Sequence, residues 1–72
     1  MARWQTVDGD RLRELREDRM ISQSELAKMA GTTQAAISGF ERGVRKAQPR
    51  TVRHLAEALG VEPRELLIRR ED

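Results

Sequence analysis

Basic side chains crowd one stretch of this sequence, from residue 42 to residue 55, and no acidic residue interrupts them. The stretch holds five basic residues and one histidine: Arg42, Arg45, Lys46, Arg50, Arg53 and His54. The whole chain is nearly neutral, with a formal net charge of +2. A local basic surface on a nearly neutral protein indicates a polyanionic partner. The alternative is a solvated loop that is basic without any partner.

Other chemistry has little support in the sequence. The chain has no cysteine, so neither a disulfide nor a thiolate metal site is available. His54 is its one histidine, and we expect it on a helix surface rather than in a metal site. No nucleophile–base pair, carboxylate cluster or glycine-rich phosphate loop is visible. A chain of 72 residues also buries only about 60% of its unfolded surface, which leaves little room to exclude water. We therefore expect no enzyme and no cofactor.

The hydropathy pattern bears on location. No apolar run approaches the roughly 18 residues that span a membrane. The first ten residues, MARWQTVDGD, lack the apolar core of a signal peptide. We expect a soluble, cytoplasmic and nucleoid-associated protein with no membrane partner.

The spacing of apolar residues predicts helices throughout and no strand. Asp8 or Asp10 can cap a first helix, which follows an N-terminal arm of residues 1–7. The folded domain then covers residues 8–68, and residues 69–72 form a tail. We expect an all-α fold, a compact bundle of five short helices.

Two short helices joined by a tight turn lie at the centre of this bundle. Ser22 and Glu25 form a capping box at the start of a helix over about residues 23–30. Gly31 ends that helix, because glycine readily adopts a positive φ, and the next helix covers about residues 34–42. Two helices around a glycine-containing turn are typical of the helix-turn-helix motif.

Two charged residues fall on apolar helix faces. Arg16 lies on the stripe that Leu12 and Leu15 form in the first helix, and Glu41 shares a face with Ile37 in the third. A buried charge without a partner costs several kcal/mol. Opposite charges on two inward faces should therefore meet. We predict a largely buried ion pair between Arg16 and Glu41.

Together these features resemble the Cro/CI-type (XRE-family) helix-turn-helix domain of phage and bacterial repressors. The segments that carry the resemblance are LRELRE (12–17), SQSELA (22–27), GTTQAAIS (31–38), ERG (41–43) and PRTVRHLAEALGV (49–61). The third and fifth are most similar to lambdoid phage repressors. The resemblance implies a lambda-repressor-like bundle whose third helix reads DNA.

The resemblance also implies roles for single residues. Gln23 is similar to a family glutamine that bonds a phosphate and braces the reading helix, and Thr33 to a capping residue that touches a phosphate. Gln34 is similar to a base-contacting glutamine, a side chain suited to adenine N6 and N7. Phosphate contacts are implied at four basic residues: Arg42, Arg45, Lys46 and Arg50.

The third helix departs from the family in its small side chains. Ala35, Ala36 and Gly39 stand where family members often have long polar residues. We expect them to let the helix backbone approach the floor of the major groove, where alanine methyls can pack on thymine methyls. Ser38 adds one polar group beside Gln34. We therefore expect modest direct readout, with more weight on phosphate contacts and DNA shape.

By resemblance, the chain should bind double-stranded DNA sequence-specifically as a transcriptional repressor. A homodimer on a palindromic operator would place two half-sites about 34 Å apart. Trp4, Leu67 and Ile68 are candidates for the dimer contact. We expect either a small dimer or a piece of a longer protein. The alternatives are an antitoxin with a protein partner, a restriction–modification controller, or a protein-interaction module without DNA affinity.

Overall fold

A computed structural model describes residues 3–68 of the chain. Its elements are, in chain order, α1 (Gly9–Asp18), α2 (Gln23–Ala30), α3 (Gln34–Glu41), α4 (Pro49–Leu59) and a 3-10 turn (Pro63–Leu66). The all-α class is confirmed, but the expected fifth helix is only this four-residue turn. It stops there because the backbone becomes extended at Leu67, which pairs with Val7. The predicted tail of residues 69–72 and the first two arm residues lie outside the described part.

Side-chain caps fix where the first three helices begin. Asp8 Oδ1 accepts a backbone N–H from the first turn of α1 at 3.1 Å. In the capping box of α2, the Glu25 amide donates to Ser22 Oγ at 3.0 Å and the Ser22 amide donates to Glu25 Oε1 at 2.8 Å. Thr33 Oγ1 accepts the first-turn amide of Ala36 in α3 at 3.1 Å. These bonds satisfy amides that have no partner within their helices.

One apolar core fills the space between the helices. Its largest fully buried side chains come from all four helices, the 3-10 turn and the N-terminal segment: Val7, Leu12, Leu26, Ile37, Val52, Leu55, Leu59 and Leu66. α2 packs against both α3 and α4, while α1 packs against α3. This arrangement holds α3 from one side and leaves its other side open.

The N-terminal segment is tied to the body of the protein by two antiparallel bridges, Gln5 with Ala47 and Val7 with Leu67. The Gln5 amide donates to the Ala47 carbonyl at 2.7 Å, and the Ala47 amide donates to the Gln5 carbonyl at 2.9 Å. Val7 is buried in the core, whereas Trp4 remains 60% exposed. The end of the sequence-predicted arm therefore packs on the loop between α3 and α4.

Candidate nucleic-acid interface

The turn between α2 and α3 has the geometry that a helix-turn-helix requires. Gly31 adopts a left-handed conformation, with φ 69° and ψ 35°. The amide of Thr32 donates to the Ala27 carbonyl at 2.9 Å, which closes the turn. Ala27 is buried, and its small side chain lets the two helices pack closely. The face of α3 that points away from α2, here called the outer face, carries Gln34, Ala35 and Ser38.

The last residue of α3, Glu41, carries a buried carboxylate that accepts three hydrogen bonds from two residues. Arg16 Nε donates to Glu41 Oε2 at 2.6 Å, and Arg16 Nη2 donates to Glu41 Oε1 at 3.1 Å. Gln23 Nε2, from the first residue of α2, also donates to Oε1 at 3.1 Å. Arg16 Nη1 donates to the Ile21 carbonyl at 2.8 Å. The sequence-predicted partners Arg16 and Glu41 thus lie together, and Gln23 joins α2 to the same carboxylate.

The carboxylate is ionised because its partners outweigh its burial. Burial by itself raises the pKa of Glu41, but the hydrogen bonds from Arg16 and Gln23 and the Arg16 charge lower it by more, so the pKa lies below its ordinary value. The hydrogen bond to Glu41 raises the pKa of Arg16. Arg13 Nε, 3.5 Å from Glu41 Oε1, adds a further positive charge that the sequence analysis missed. Its signal was the position three residues before Arg16.

The outer face of α3 is small and polar. Gln34 and Ala35 are exposed, and Ser38 is half-buried one turn later. Arg42 Nε donates to Ser38 Oγ at 3.2 Å, so the end of this face carries an arginine that lies along the helix. Thr33, also exposed, stands at the start of the helix with its hydroxyl oxygen used as a cap. The hydroxyl hydrogen of Thr33 and the other N–H groups of Arg42 can therefore donate to a ligand at the two ends of the outer face.

Two of the small residues expected on this face are covered. Ala36 is 1% exposed and belongs to the core. Gly39 is also buried, because the side chain of Arg45 returns over it; a Cβ on Gly39 would lie 3.0 Å from Arg45 Cβ and 3.2 Å from Arg45 Cδ. The expectation that these two positions open the helix backbone to a groove is wrong. Ala35 alone keeps the expected exposure.

The basic residues of the interface lie in consecutive parts of the chain. Arg42 follows α3, Arg45 and Lys46 lie in the next loop, and Arg50 lies in the first turn of α4; all four are exposed. A shallow cleft beside α3 is lined mostly by polar or aromatic side chains: Trp4, Thr32, Phe40, Arg45, Lys46, Gln48 and Thr51. The structure thus places Arg42, Arg45 and Lys46 beside α3, while Arg50 is exposed at the start of α4.

Other kinds of site lack support within residues 3–68. No three acidic, histidine or cysteine side chains are grouped so that they could hold a metal ion. His54 is half-buried in a groove with Met29 and Glu57, and no residue of α3 lines that groove. None of the helices described above combines the length and apolar character that crossing a membrane requires.

Comparison with known proteins finds a relative by sequence and several similar solved structures. The transcriptional repressor RghR of Bacillus subtilis is 43% identical over 54 residues, 74% of this chain, and the chain spans 40% of the length of RghR. The restriction–modification controller C.AhdI of Aeromonas hydrophila is 44% identical, with a TM-score of 0.78 over 82% of this chain and 89% of that one. The P22 c2 repressor, solved with a synthetic operator, is 34% identical, with a TM-score of 0.81 over 85% and 92%.

A family model supplies the identification. The model described as Helix-turn-helix matches residues 12–66, from the first buried leucine of α1 to the end of the 3-10 turn. This range includes the capping box, the turn at Gly31, the ion pair and the basic loop. The resemblance drawn from the sequence is confirmed: the chain belongs to the Cro/CI-type helix-turn-helix family.

Proposed function

We propose that this protein binds double-stranded DNA sequence-specifically and represses transcription, with α3 in the major groove. The observation that carries the proposal is the exposed outer face of α3, with Arg42 bonded to Ser38 at its end and the exposed Arg45 and Lys46 in the cleft beside it. A helix in the major groove, flanked by phosphate contacts, is the docking geometry of helix-turn-helix proteins. The relatives RghR, a repressor, and P22 c2, solved with an operator, support the same function. No catalysis is proposed.

Base contacts come from the residues on the outer face of α3, Gln34, Ala35 and Ser38. Gln34, in the first turn, carries an amide that can pair with adenine N6 and N7. Ala35 offers a methyl group to thymine, and Ser38 can donate to a base or exchange its bond with Arg42. With so few groups, we expect direct readout at a small number of base pairs and a substantial contribution from DNA shape.

Phosphate contacts fix the protein on the duplex. We assign them to Thr33 at the start of α3, to Arg42 at its end, and to Lys46 and Arg50 beyond it. We also assign a phosphate contact to Gln23. One N–H of its side-chain amide donates to Glu41 and fixes the side chain, and the second N–H can donate to a phosphate. These contacts should make binding steeply dependent on salt, with a slope of about −0.9 for each phosphate neutralised.

A homodimer is part of the proposal, because one α3 contacts too few base pairs to select a site in a genome. Two copies would read half-sites about 34 Å apart on a palindromic operator. Ile68 and Trp4 are exposed apolar residues, and Leu67 is half-buried beside Ile68. We propose these three as the dimer contact.

A second candidate role is control of a restriction–modification system, still through DNA binding. It is favoured by the similarity to C.AhdI, since this chain matches 89% of that controller. The genes beside the operator would distinguish it from other repressors. An antitoxin role would require a protein partner that copurifies with the chain.

Selection of binding sites from a random duplex pool at about physiological salt tests the proposal. We expect an enriched palindrome, with half-sites one helical turn apart and binding that weakens steeply with salt. Binding to every duplex alike would refute sequence specificity. A chain that binds no DNA would refute the proposal and favour the protein-interaction module. A variant with Arg42, Lys46 and Arg50 all changed to Ala serves as a folded, binding-deficient control.

A further inference from the structure

Arg45 occupies the part of the α3 surface where a side chain at position 39 would stand. Position 39 follows Ala35 by one helical turn, so the two positions lie on the same side of α3, at the edge of the outer face. Gly39 supplies no side chain there. Instead the stem of Arg45 lies over it, at 3.0–3.2 Å from where a Cβ would be. A loop residue thus completes the surface of α3.

The guanidinium of Arg45 packs on an aromatic ring, and its N–H groups are not used in an ion pair among the described residues. Its Cζ atom lies 5.9 Å from the centroid of the Phe40 ring, within the range of a cation–π contact. Within residues 3–68 the ion pairs involve Arg11, Arg13 and Arg16, and none involves Arg45. The five N–H donors of its guanidinium therefore remain available to a ligand.

The backbone on both sides of Arg45 is fixed. Before it, the amide of Val44 donates to the Gly39 carbonyl at 3.0 Å, which ties the start of the loop to α3. After it, Ala47 is paired with Gln5 through two hydrogen bonds of 2.7 and 2.9 Å. A side chain that is positioned before binding loses less conformational freedom when it binds. Arg45 is in this sense unlike a solvated loop arginine.

We propose that Arg45 reads a base, and that Gly39 is glycine because Arg45 must lie across α3. The guanidinium would donate two parallel hydrogen bonds to O6 and N7 of a guanine, beside the base pairs that Gln34 and Ala35 contact. This pairing suits the fork of an arginine and is the commonest specific contact in the major groove. A phosphate contact would not require the arginine to pack on the reading helix. The inference rests on the proposed DNA binding and replaces the phosphate role that the resemblance implied.

Site selection with four proteins tests this role: the wild type, Arg45→Ala, Arg45→Lys and the matched control Lys46→Ala, which removes the neighbouring charge. We expect Arg45→Ala to lose about 5- to 150-fold of the preference for guanine at one base pair of each half-site. Arg45→Lys should keep the charge and only part of the preference, because lysine can donate to guanine but lacks the rigid two-donor fork of arginine. Lys46→Ala should weaken binding to all sequences about equally and reduce the salt slope by about 1.

Gly39→Ala tests the packing without touching the arginine. Alanine is a better helix former than glycine, so the variant should fold, as a thermal melt will verify. Its Cβ would lie 3.0 Å from Arg45 Cβ and 3.2 Å from Arg45 Cδ, so the arginine must shift. We expect a smaller loss of preference than in Arg45→Ala, at the same base pair. If Arg45→Ala weakens all sequences equally while the wild type selects an operator, the base-reading role is refuted and DNA binding stands. A wild type without any preference refutes both, before any variant is made.

Discussion

The inner and outer faces of α3 differ in whether their polar groups have partners within the protein. On the inner face, Glu41 is buried and accepts hydrogen bonds from Arg16 and Gln23, which belong to two other helices. Among the described residues, no buried side-chain nitrogen or oxygen is left without a partner. On the outer face, Gln34 is exposed and the Arg45 guanidinium rests on an aromatic ring rather than on an acid. The inner face is satisfied within the protein, and the outer face is available to a ligand.

This difference separates stability from recognition within a single eight-residue helix. Changes on the inner face should alter the free energy of unfolding, because they leave a charge buried without its partner. Changes on the outer face should alter DNA binding and leave unfolding nearly unchanged, because exposed substitutions are usually within about 0.5 kcal/mol. Variants on each face can show whether the two properties are independent.

The largest effect is expected from Glu41→Ala. Removal of the carboxylate leaves Arg16 and Gln23 without their acceptor, and we expect unfolding to cost about 3–5 kcal/mol less. Urea titration and a thermal melt measure this. Glu57→Ala, which removes an exposed carboxylate of α4, is the matched control and should change stability by less than about 0.5 kcal/mol. A Glu41→Ala melt close to that of the control would contradict the structural role of the pair.

The same pair predicts a dependence on pH. Because the folded-state pKa of Glu41 lies below its ordinary value, the pair stabilises the fold above the unfolded-state pKa of about 4.3. That stability is lost as the pH falls through the folded-state pKa. The gap in unfolding free energy between the wild type and Glu41→Gln should therefore be constant near pH 7 and shrink below about pH 4.3. A gap of equal size from pH 7 to pH 3 would be the opposite result.

Gly9→Ala disturbs the contact between α1 and the inner face of α3 by adding volume rather than by removing a charge. A Cβ at Gly9 would lie 2.3 Å from the Glu41 carbonyl oxygen and 2.6 Å from that of Phe40, so α1 must move away from α3. We expect a loss of about 1–3 kcal/mol, typical of overpacking, measured by urea titration. The adjacent exposed change Asp10→Ala is the control and should cost less. Equal stability of Gly9→Ala and the wild type would mean that α1 and α3 are less closely packed.

Gln34→Ala tests the outer face. We expect a loss of about 1–3 kcal/mol in discrimination at one base pair, measured by competition between the selected operator and single-base variants. The thermal melt should stay close to that of the wild type. Lys46→Ala provides the contrast, since it should weaken all of these duplexes alike. An unchanged sequence preference in Gln34→Ala would remove this residue from base reading.

The smallest effect is a gain in stability from Met20→Gly. Met20 follows α1 with φ 55°, and its side chain is 92% exposed, so glycine loses no packing there. A left-handed conformation costs a non-glycine residue about 1–2 kcal/mol, part of which is offset by the flexibility of glycine in the unfolded chain. We expect a net gain of about 0.5–1 kcal/mol in a urea titration and no change in DNA affinity. An altered affinity would show that the turn after α1 influences DNA binding.

Local chemistry made much of the inner face predictable from the sequence. The acceptors Asp8, Ser22 and Thr33 mark the starts of three helices because each supplies an oxygen to amides only a few residues away. Arg16 and Glu41 could be paired in advance because helical periodicity places both on inward faces, where an unpaired charge is too costly. The comparison with family members, rather than periodicity, predicted that Ala36 would be open to a groove, and the structure buries it.

The sequence by itself determined the first four helices, the turn at Gly31 and the residues of the buried ion pair, since each follows from spacing within a helix or from the cost of burial. Only the tertiary structure decided that Gln5 pairs with Ala47 and that Arg45 covers Gly39. The first contact joins segments about forty residues apart, and the second depends on how a loop turns after α3. Neither leaves a periodic signal, because the path of a loop is set by the surfaces on which it packs.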